Sequence, residues 1–441
     1  MKLAFRVLLV LLFLFFVALT VICLGAFSAV PSVQQAATVD ASSAKFSKQF
    51  AKRFFETISI PSDSTVVSIS AQELAGLVAV TNRTIPNLTL NASMSANGLS
   101  IETTYDTGLP GFMRFINASG TLLPSAQQLD IEFVKLGMWH INGSLFSQAL
   151  GWGLNLALGQ SIGSDLLASV NKVSLSDSKG SINVNVPEKF RSLGDGQPSR
   201  WRALRDRLAI FGEADLVRVY FQHLINYTYE HRKSSELASY FRQVFILANE
   251  RSVNQPFNIV ARENQAALLA LSVYFGSDKF ELMIGDIASL SKKQFYRRNR
   301  HRREVTLQGR VDLQKHFIYS AALQIFGSMQ ASDALGEFKE LLDVNPGGSG
   351  FSFADLMADR AGTRLAMSLT TPDINAQQLQ IALITVTDEQ LLPSIAGLPE
   401  GINEAQFKQQ YQSVDAEPYL AVLNEIDTRL SKLPLYRLIK I

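Results

Sequence analysis

Hydrophobic and polar positions change their spacing twice along this chain. Lys2 and Arg6 precede a run from Val7 to Val30 that carries no charge and is rich in Leu, Phe and Val. From Val66 to about Val186 apolar residues recur at every second position. Leu88, Leu90, Ala92, Met94 and Ala96 alternate with polar neighbours, and Leu99 and Ile101 resume the alternation after Asn97-Gly98. Leu129, Ile131 and Phe133 follow, and Val173 and Leu175 turn through Asp177–Gly180 into Ile182, Val184 and Val186. Period two is the spacing of a strand with one covered face. Asn-Gly between two such runs predicts a type I′ hairpin. Beyond residue 201 the spacing becomes 3.6 and predicts helices over 201–212, 213–230, 234–250, 261–275 and 278–291.

Shorter elements complete the pattern. Ser70 and Glu73 have the spacing of a capping box and open a helix over Glu73–Val80. Leu150, Leu154, Leu158 and Leu166 predict a helix over Phe146–Val170. A short strand is expected over Gln380–Val386, and helices over Glu404–Tyr411 and Pro418–Lys432. The fold class is α+β: an N-terminal transmembrane helix, an antiparallel-sheet module with packed helices, then a mostly α-helical domain. The boundaries are 1–30 for the anchor, 31–44 for a polar tether and 45–190 for the module, where Lys45–Glu56 reads as a first amphipathic helix. Residues 191–200 (RSLGDGQPSR) are a linker by composition, and 201–441 is the helical domain with a polar cluster at 309–364.

About 20 apolar residues suffice to cross a bilayer. Positive charge on the short N-terminal side places the remainder outside the cytoplasm, so the expectation is a single-pass protein of the bacterial inner membrane with its body in the periplasm. A cleaved signal peptide is the other reading, with Ala26-Phe27-Ser28 as the small-x-small site, but the run exceeds the usual h-region of about 7–15 residues. Cys23 lies inside the run.

The order of anchor, SAQELAGLV helix and long amphipathic strands is similar to small membrane-anchored envelope domains of bacteria whose curved sheets hold apolar ligands. The resemblance implies ligand-lining roles for Leu88, Leu90, Leu99 and Ile101, and maintenance of the envelope as the function. A sheet face filled by the chain's own helices is the alternative.

Charge and composition narrow the functional classes. Lys+Arg 41 against Asp+Glu 39 gives a net charge of +2, which offers nucleic acid no global attraction. A single Cys excludes an internal disulfide and a Cys-based metal site. The basic run Lys292–Arg303 suits an anionic lipid or cell-wall polymer, with a solvated loop as the plainer reading. Six Asn-x-Ser/Thr sequons begin at Asn82, Asn87, Asn91, Asn117, Asn142 and Asn226, and chance accounts for them in a Ser- and Asn-rich chain.

The densest polar constellation lies between Gly309 and Arg364. Three helices are predicted there: Asp312–Phe326, Ser332–Asp343 and Ser352–Met367, the last two with Ser332 and Ser352 as N-caps. Helical spacing puts Asp312 and His316 on one face, as it does Glu337 with Glu340, Glu340 with Asp343, and Asp355 with Asp359. If the helices meet, Asp312, His316, Glu337, Glu340 and Asp343 make a donor set for a divalent metal. His316, Glu340, Asp355 and Asp359 alternatively make an acid–base group in which carboxylates raise one another's pKa. There is no HExxH and no Glu-x-x-His. In the purely structural reading Asp355 and Asp359 pair with Arg360 and Arg364, and Asp312 pairs with His316 on the surface. Glu263, in the Arg262–Gln265 segment, is a secondary candidate for the same cleft.

The series Asp312, His316, Phe317, then Gly336, Lys339, Glu340, Asp343, then Gly348, Ser349, Gly350, Asp355, Asp359 and Gly362 resembles the signature of VanZ-like proteins and of related small periplasmic lipoproteins. It covers about 50 residues and implies an envelope location and a site rather than a reaction; unlike polytopic VanZ-like proteins, this chain carries the motif in its expected extracytoplasmic body. Two functions stay open: an envelope protein that binds an apolar or amphipathic ligand or a partner protein, and a metal-dependent or acid–base hydrolase or transferase acting on a cell-wall or lipid substrate.

Overall fold

The structure, a computed structural model, describes residues 24–34, 40–59, 64–158, 162–185, 213–231, 234–276, 290–327 and 349–437, with residues 284, 287 and 339. The chain divides into two compact units, Met1–Asp195 and Gly196–Ile441.

In the first unit β1 (Phe27–Ser28) precedes helix α1 (Ala41–Ser59), β2 (Thr65–Ser70) and helix α2 (Ala71–Thr84). Five strands follow: β3 (Leu88–Ser95), β4 (Gly98–Asp106), β5 (Phe115–Leu123), β6 (Asp130–Leu136) and β7 (Trp139–Asn142). Helices α3 (Gly143–Leu158) and α4 (Ile162–Ala168) then lead into β8 (Val170–Leu175) and β9 (Lys179–Val184). The larger sheet is antiparallel, ordered β3-β4-β5-β6-β7, with β1 also paired to β5; β2-β9-β8 form a smaller sheet. The capping box at the start of α2 forms as its spacing predicts: Ser70 accepts from the Glu73 amide, and Glu73 accepts from the Ser70 amide. Asn82 on α2 bonds both the amide and the carbonyl of Leu90, at 2.6 and 3.0 Å. A helix thus closes the free edge of β3.

Several expectations for this unit are corrected. Phe27–Ser28 pairs with Phe115–Ile116, so an anchor reaching to residue 30 is too long. The run Met1–Cys23 lies outside the described residues; among the described residues no helix is long and apolar enough to cross a membrane. The tether is docked at its start, where the Ser32 and Val33 amides both donate to Thr104 Oγ1. The β3–β4 loop is Ala96-Asn97, because Ser95 pairs with Gly98, and none of these residues has positive φ, so no type I′ turn forms there. Phe146–Val170 is not one helix; α3, α4 and the first residue of β8 share it. An irregularity between Gly120 and Leu122 sets Ile131 and Val134 opposite Leu122 and Gly120, which breaks the Leu129-Ile131-Phe133 alternation.

The second unit is helical: α5 (Ala214–Glu230), α6 (Leu237–Ser252), α7 (Phe257–Phe275), α8 (Lys292–Glu304), α9 (Val311–Phe326), α10 (Phe353–Thr370), α11 (Ile374–Leu383), α12 (Asp388–Leu391), α13 (Glu404–Gln410), α14 (Glu417–Lys432) and α15 (Pro434–Arg437). Its core is fully buried aromatic and aliphatic packing, with Tyr240, Phe241, Phe245, Tyr274 and Phe317 at 0% exposure. The strand expected over Gln380–Val386 is instead the end of α11, started by Asp373 as N-cap, whose Leu379, Gln380 and Leu383 are buried. A continuous apolar run cannot by itself distinguish a buried strand from a buried helix. Helices expected over 201–212, 278–291 and 332–343 fall largely outside the described residues.

Helices α9 and α10 approach most closely where Gly362 faces Phe317. A Cβ at position 362 would lie 2.1 Å from the Phe317 carbonyl oxygen and 2.9 Å from its carbonyl carbon. Backbone cannot yield as a flexible side chain does, so Gly362→Ala forces the helices apart. The expected cost is about 3 kcal/mol, the upper range for overpacking, read as a lowered midpoint in urea unfolding. A midpoint equal to wild type would show that the approach is not tight.

Candidate functional site

The close approach at Gly362 brings the predicted His and two of the predicted carboxylates together. His316 precedes Phe317 on α9, and Asp355 and Asp359 occupy successive turns of α10. The imidazole lies between the two acids: Nδ1 is 3.0 and 3.1 Å from the two Asp359 oxygens, and Nε2 is 3.3 Å from Asp355 Oδ2. Ser320, one turn after His316, donates to Asp359 Oδ1 at 2.7 Å. All four residues are buried.

A tight turn supplies the next member. Leu307 and Arg310 exchange backbone hydrogen bonds around Gln308 and Gly309, both with positive φ, as a type I′ hairpin requires. Arg310 therefore stands at the start of α9. Its guanidinium takes Asp312 in a fork at 3.1 and 2.6 Å, Glu400 at 2.7 Å and, more distantly, Asp355 at 3.4 Å. Glu400 also accepts from Ser352 Oγ at 2.9 Å. It reaches the site because Phe351 and Ile402 exchange backbone bonds, and Gly350, at φ +87°, lets its backbone pass against Gly401; a Cβ there would lie 2.5 Å from the Gly401 carbonyl carbon.

These groups line a cavity of about 770 Å³, together with Lys315, Tyr319, Leu323, Lys339, Ser349 and Gly401. Of the predicted polar series, Asp312, His316, Lys339, Ser349, Gly350, Asp355 and Asp359 are all on its wall. Glu337, Glu340 and Asp343 lie outside the described residues. Arg310, Ser320 and Glu400 are additions that the sequence reading missed. Ser320 was discoverable at four residues from His316, whereas Glu400 enters from a distant loop with no local signal.

The simpler pairings are corrected as well. Arg360 and Arg364 both bind Asp427 on α14 and leave Asp355 and Asp359 to His316. Asp312 turns to Arg310 and not to His316. Glu263 is absent from the cavity wall; it accepts from Tyr220 at 2.6 Å and from Arg251 at 2.9 Å. The basic run is not a solvated loop but helix α8, with Arg298 and His301 buried.

Electrostatics define what the site can do. Burial is the largest influence on His316 and pulls its pKa down, but the charge and hydrogen bond of Asp359, with the charge of Asp355, lift it to about 9. His316 is an imidazolium at neutral pH with both nitrogens directed at carboxylates. Burial raises the Asp355 pKa, against the opposing pull of His316. The Arg310 hydrogen bond lowers the Asp312 pKa. A divalent metal needs an imidazole lone pair, and both ring nitrogens are taken up by Asp355 and Asp359. Among the described residues no three His, Cys, Asp or Glu side chains are placed to hold a metal ion. Glu337, Glu340 and Asp343, the other members of the predicted metal set, lie outside the described residues.

No family model matches this chain, no curated protein matches it, and no solved structure matches it.

The folded His316 pKa lies above the unfolded value near 6.5, so the proton stabilises the native state. This contribution is complete below about pH 6.5 and is lost as the pH climbs to and through about 9. The separation corresponds to about 3 kcal/mol. Urea unfolding of wild type between pH 6 and 10 should show this decline, and His316→Gln should flatten it. A wild-type curve as flat as the variant's would refute the charged imidazole.

Proposed function

We propose that this chain is a membrane-anchored bacterial envelope protein whose body lies outside the cytoplasm and binds the apolar part of an amphipathic ligand on its larger sheet. The observation that carries the reading is that the apolar face of this sheet is only partly covered by the folded chain. Register puts Leu88, Leu90, Leu99 and Ile101 on one face with Ile116, Leu122, Val134 and Leu136. None of these eight side chains is buried, and Ile101 is 40% exposed. On α3, Leu145, Trp152 and Leu156 are 60%, 70% and 75% exposed. Scattered single apolar residues on a surface are ordinary, whereas a contiguous face marks a binding site.

The location follows from the N-terminal run. Lys2 and Arg6 before an uncharged Val7–Val30 favour insertion with the N-terminus in the cytoplasm. Strand β1 begins at Phe27, four residues after Cys23. That strand lies within the last residues of the uncharged run, so the sheet is joined directly to it.

A second reading, an acid–base hydrolase or transferase, is favoured by the His316 cavity. There the imidazolium cannot act as a base at neutral pH, and proton transfer would fall to Asp355, whose pKa burial raises. His316 and Asp359 would then hold charge in place beside it.

The discriminating experiment compares the full chain with Ile101→Asp and Asp355→Asn. Lipid extracted from the purified wild type, and displacement of a fluorescent fatty acid from it, should both fall at least about tenfold in Ile101→Asp. Melting should change little, because substitutions at exposed positions cost within about 0.5 kcal/mol. Absence of bound lipid and of fatty-acid binding in the wild type would refute the ligand reading. Turnover of a cell-wall or lipid ester lost in Asp355→Asn would establish the second.

A further inference from the structure

Helix α8 has two faces of different character. His301 is buried and its Nδ1 pairs with the Tyr274 hydroxyl at 2.8 Å; Arg298 is buried beside it. Arg302 bonds the carbonyl oxygens of Tyr274 and Val273 at 2.9 and 2.8 Å. These are the last turn of α7, where carbonyls lack helical donors. A helix with mean hydropathy this low would not hold its place by apolar burial, and the hydrogen bonds of His301 and Arg302 to α7 fix it instead.

At about 100° per residue, Lys292, Arg303, Tyr296, Arg300 and Lys293 fall within one 100° arc on the side away from Arg298 and His301. All five are exposed, Tyr296 to 71%, and Phe295, about 60° outside the arc, is 42% exposed. The acid nearest them, Glu304, is paired with Arg300 at 2.8 Å. An exposed aromatic within a ring of cations, carried on a rigid helix, matches the two components of a bilayer surface: anionic headgroups for the charges and the interfacial layer for an amphipathic ring. A nucleic acid would use the same cations, but the protein's net charge of +2 offers it no wider attraction.

We propose that the exposed face of α8 (Lys292, Lys293, Tyr296, Arg300 and Arg303) is a docking surface for an anionic lipid bilayer. It is independent of ligand binding by the sheet and adds a second membrane contact through the helical unit.

The test uses the full chain in vesicles, so that the N-terminal run is present in every sample. Cys23→Ser leaves no native thiol, and Asn299→Cys, on the flank of the arc, carries an environment-sensitive fluorophore. Vesicles with about 30% phosphatidylglycerol should give a blue-shifted, stronger signal than phosphatidylcholine alone. The difference should vanish in molar salt, where the Debye length is about 3 Å. Lys292→Glu/Lys293→Glu/Arg303→Glu should lower the docked fraction at least about tenfold. That variant leaves Arg298, His301 and Arg302 intact, and a melting temperature equal to wild type checks its fold; the salt and composition arms stand without it. Equal signals in the two vesicle types would overturn the proposal. So would a response to RNA or to a soluble polyanionic sugar that matches the response to anionic vesicles.

Discussion

The helical unit depends on one backbone approach, Gly362 against the carbonyl of Phe317. Because the contact is between main chains, it fixes the spacing of α9 and α10 more firmly than interdigitated side chains would. His316 is adjacent to Phe317, and Asp359 and Asp355 lie one and two turns before Gly362. The glycine thereby determines how far the imidazole stands from the two carboxylates. Buried ions cost several kcal/mol each unless their partners are well placed. Here the hydrogen bonds from His316 and Ser320 to Asp359 offset that cost, and they exist only at this helix spacing.

Much of the fold was readable from periodicity because each unit keeps one dominant spacing. The alternation from Leu88 to Ile101 placed β3 and β4, and Ser70 with Glu73 placed α2 through a cap that involves only neighbouring residues. The failures arose where tertiary contact outweighs local pattern. Gln380–Val386 is apolar enough for a strand, yet Asp373 and burial on several sides make most of it a helix. Lys292–Arg303 has the composition of a loop, but Tyr274 and the end of α7 supply partners that convert it into a docked helix. The Asn-Gly signal at Asn97 marked the β3–β4 hairpin, but its loop is Ala96-Asn97 without positive φ; the type I′ turn is at Gln308-Gly309, where no alternating strand had marked it. The candidate site was legible for His316, Asp355 and Asp359 through helical spacing. It was illegible for Glu400, which arrives through the Phe351–Ile402 bridge, a pairing that no local sequence encodes.

The two units use apolar area in opposite ways. Tyr240, Phe241 and Phe317 are sealed inside the helical unit. In the sheet unit, strands β3 to β7 bury only Gly98 and Thr104. A face that stays partly exposed in the folded chain stabilises it less per residue than the sealed core of the helical unit.

Asn82 occupies both the amide and the carbonyl that Leu90 directs away from β4. An uncapped β3 would offer a long, alternating apolar strand to any second chain of the same sequence, the usual route to uncontrolled growth of a sheet. Here one amide side chain occupies the outward-facing pair at Leu90, so a second strand cannot add in register along the whole of β3.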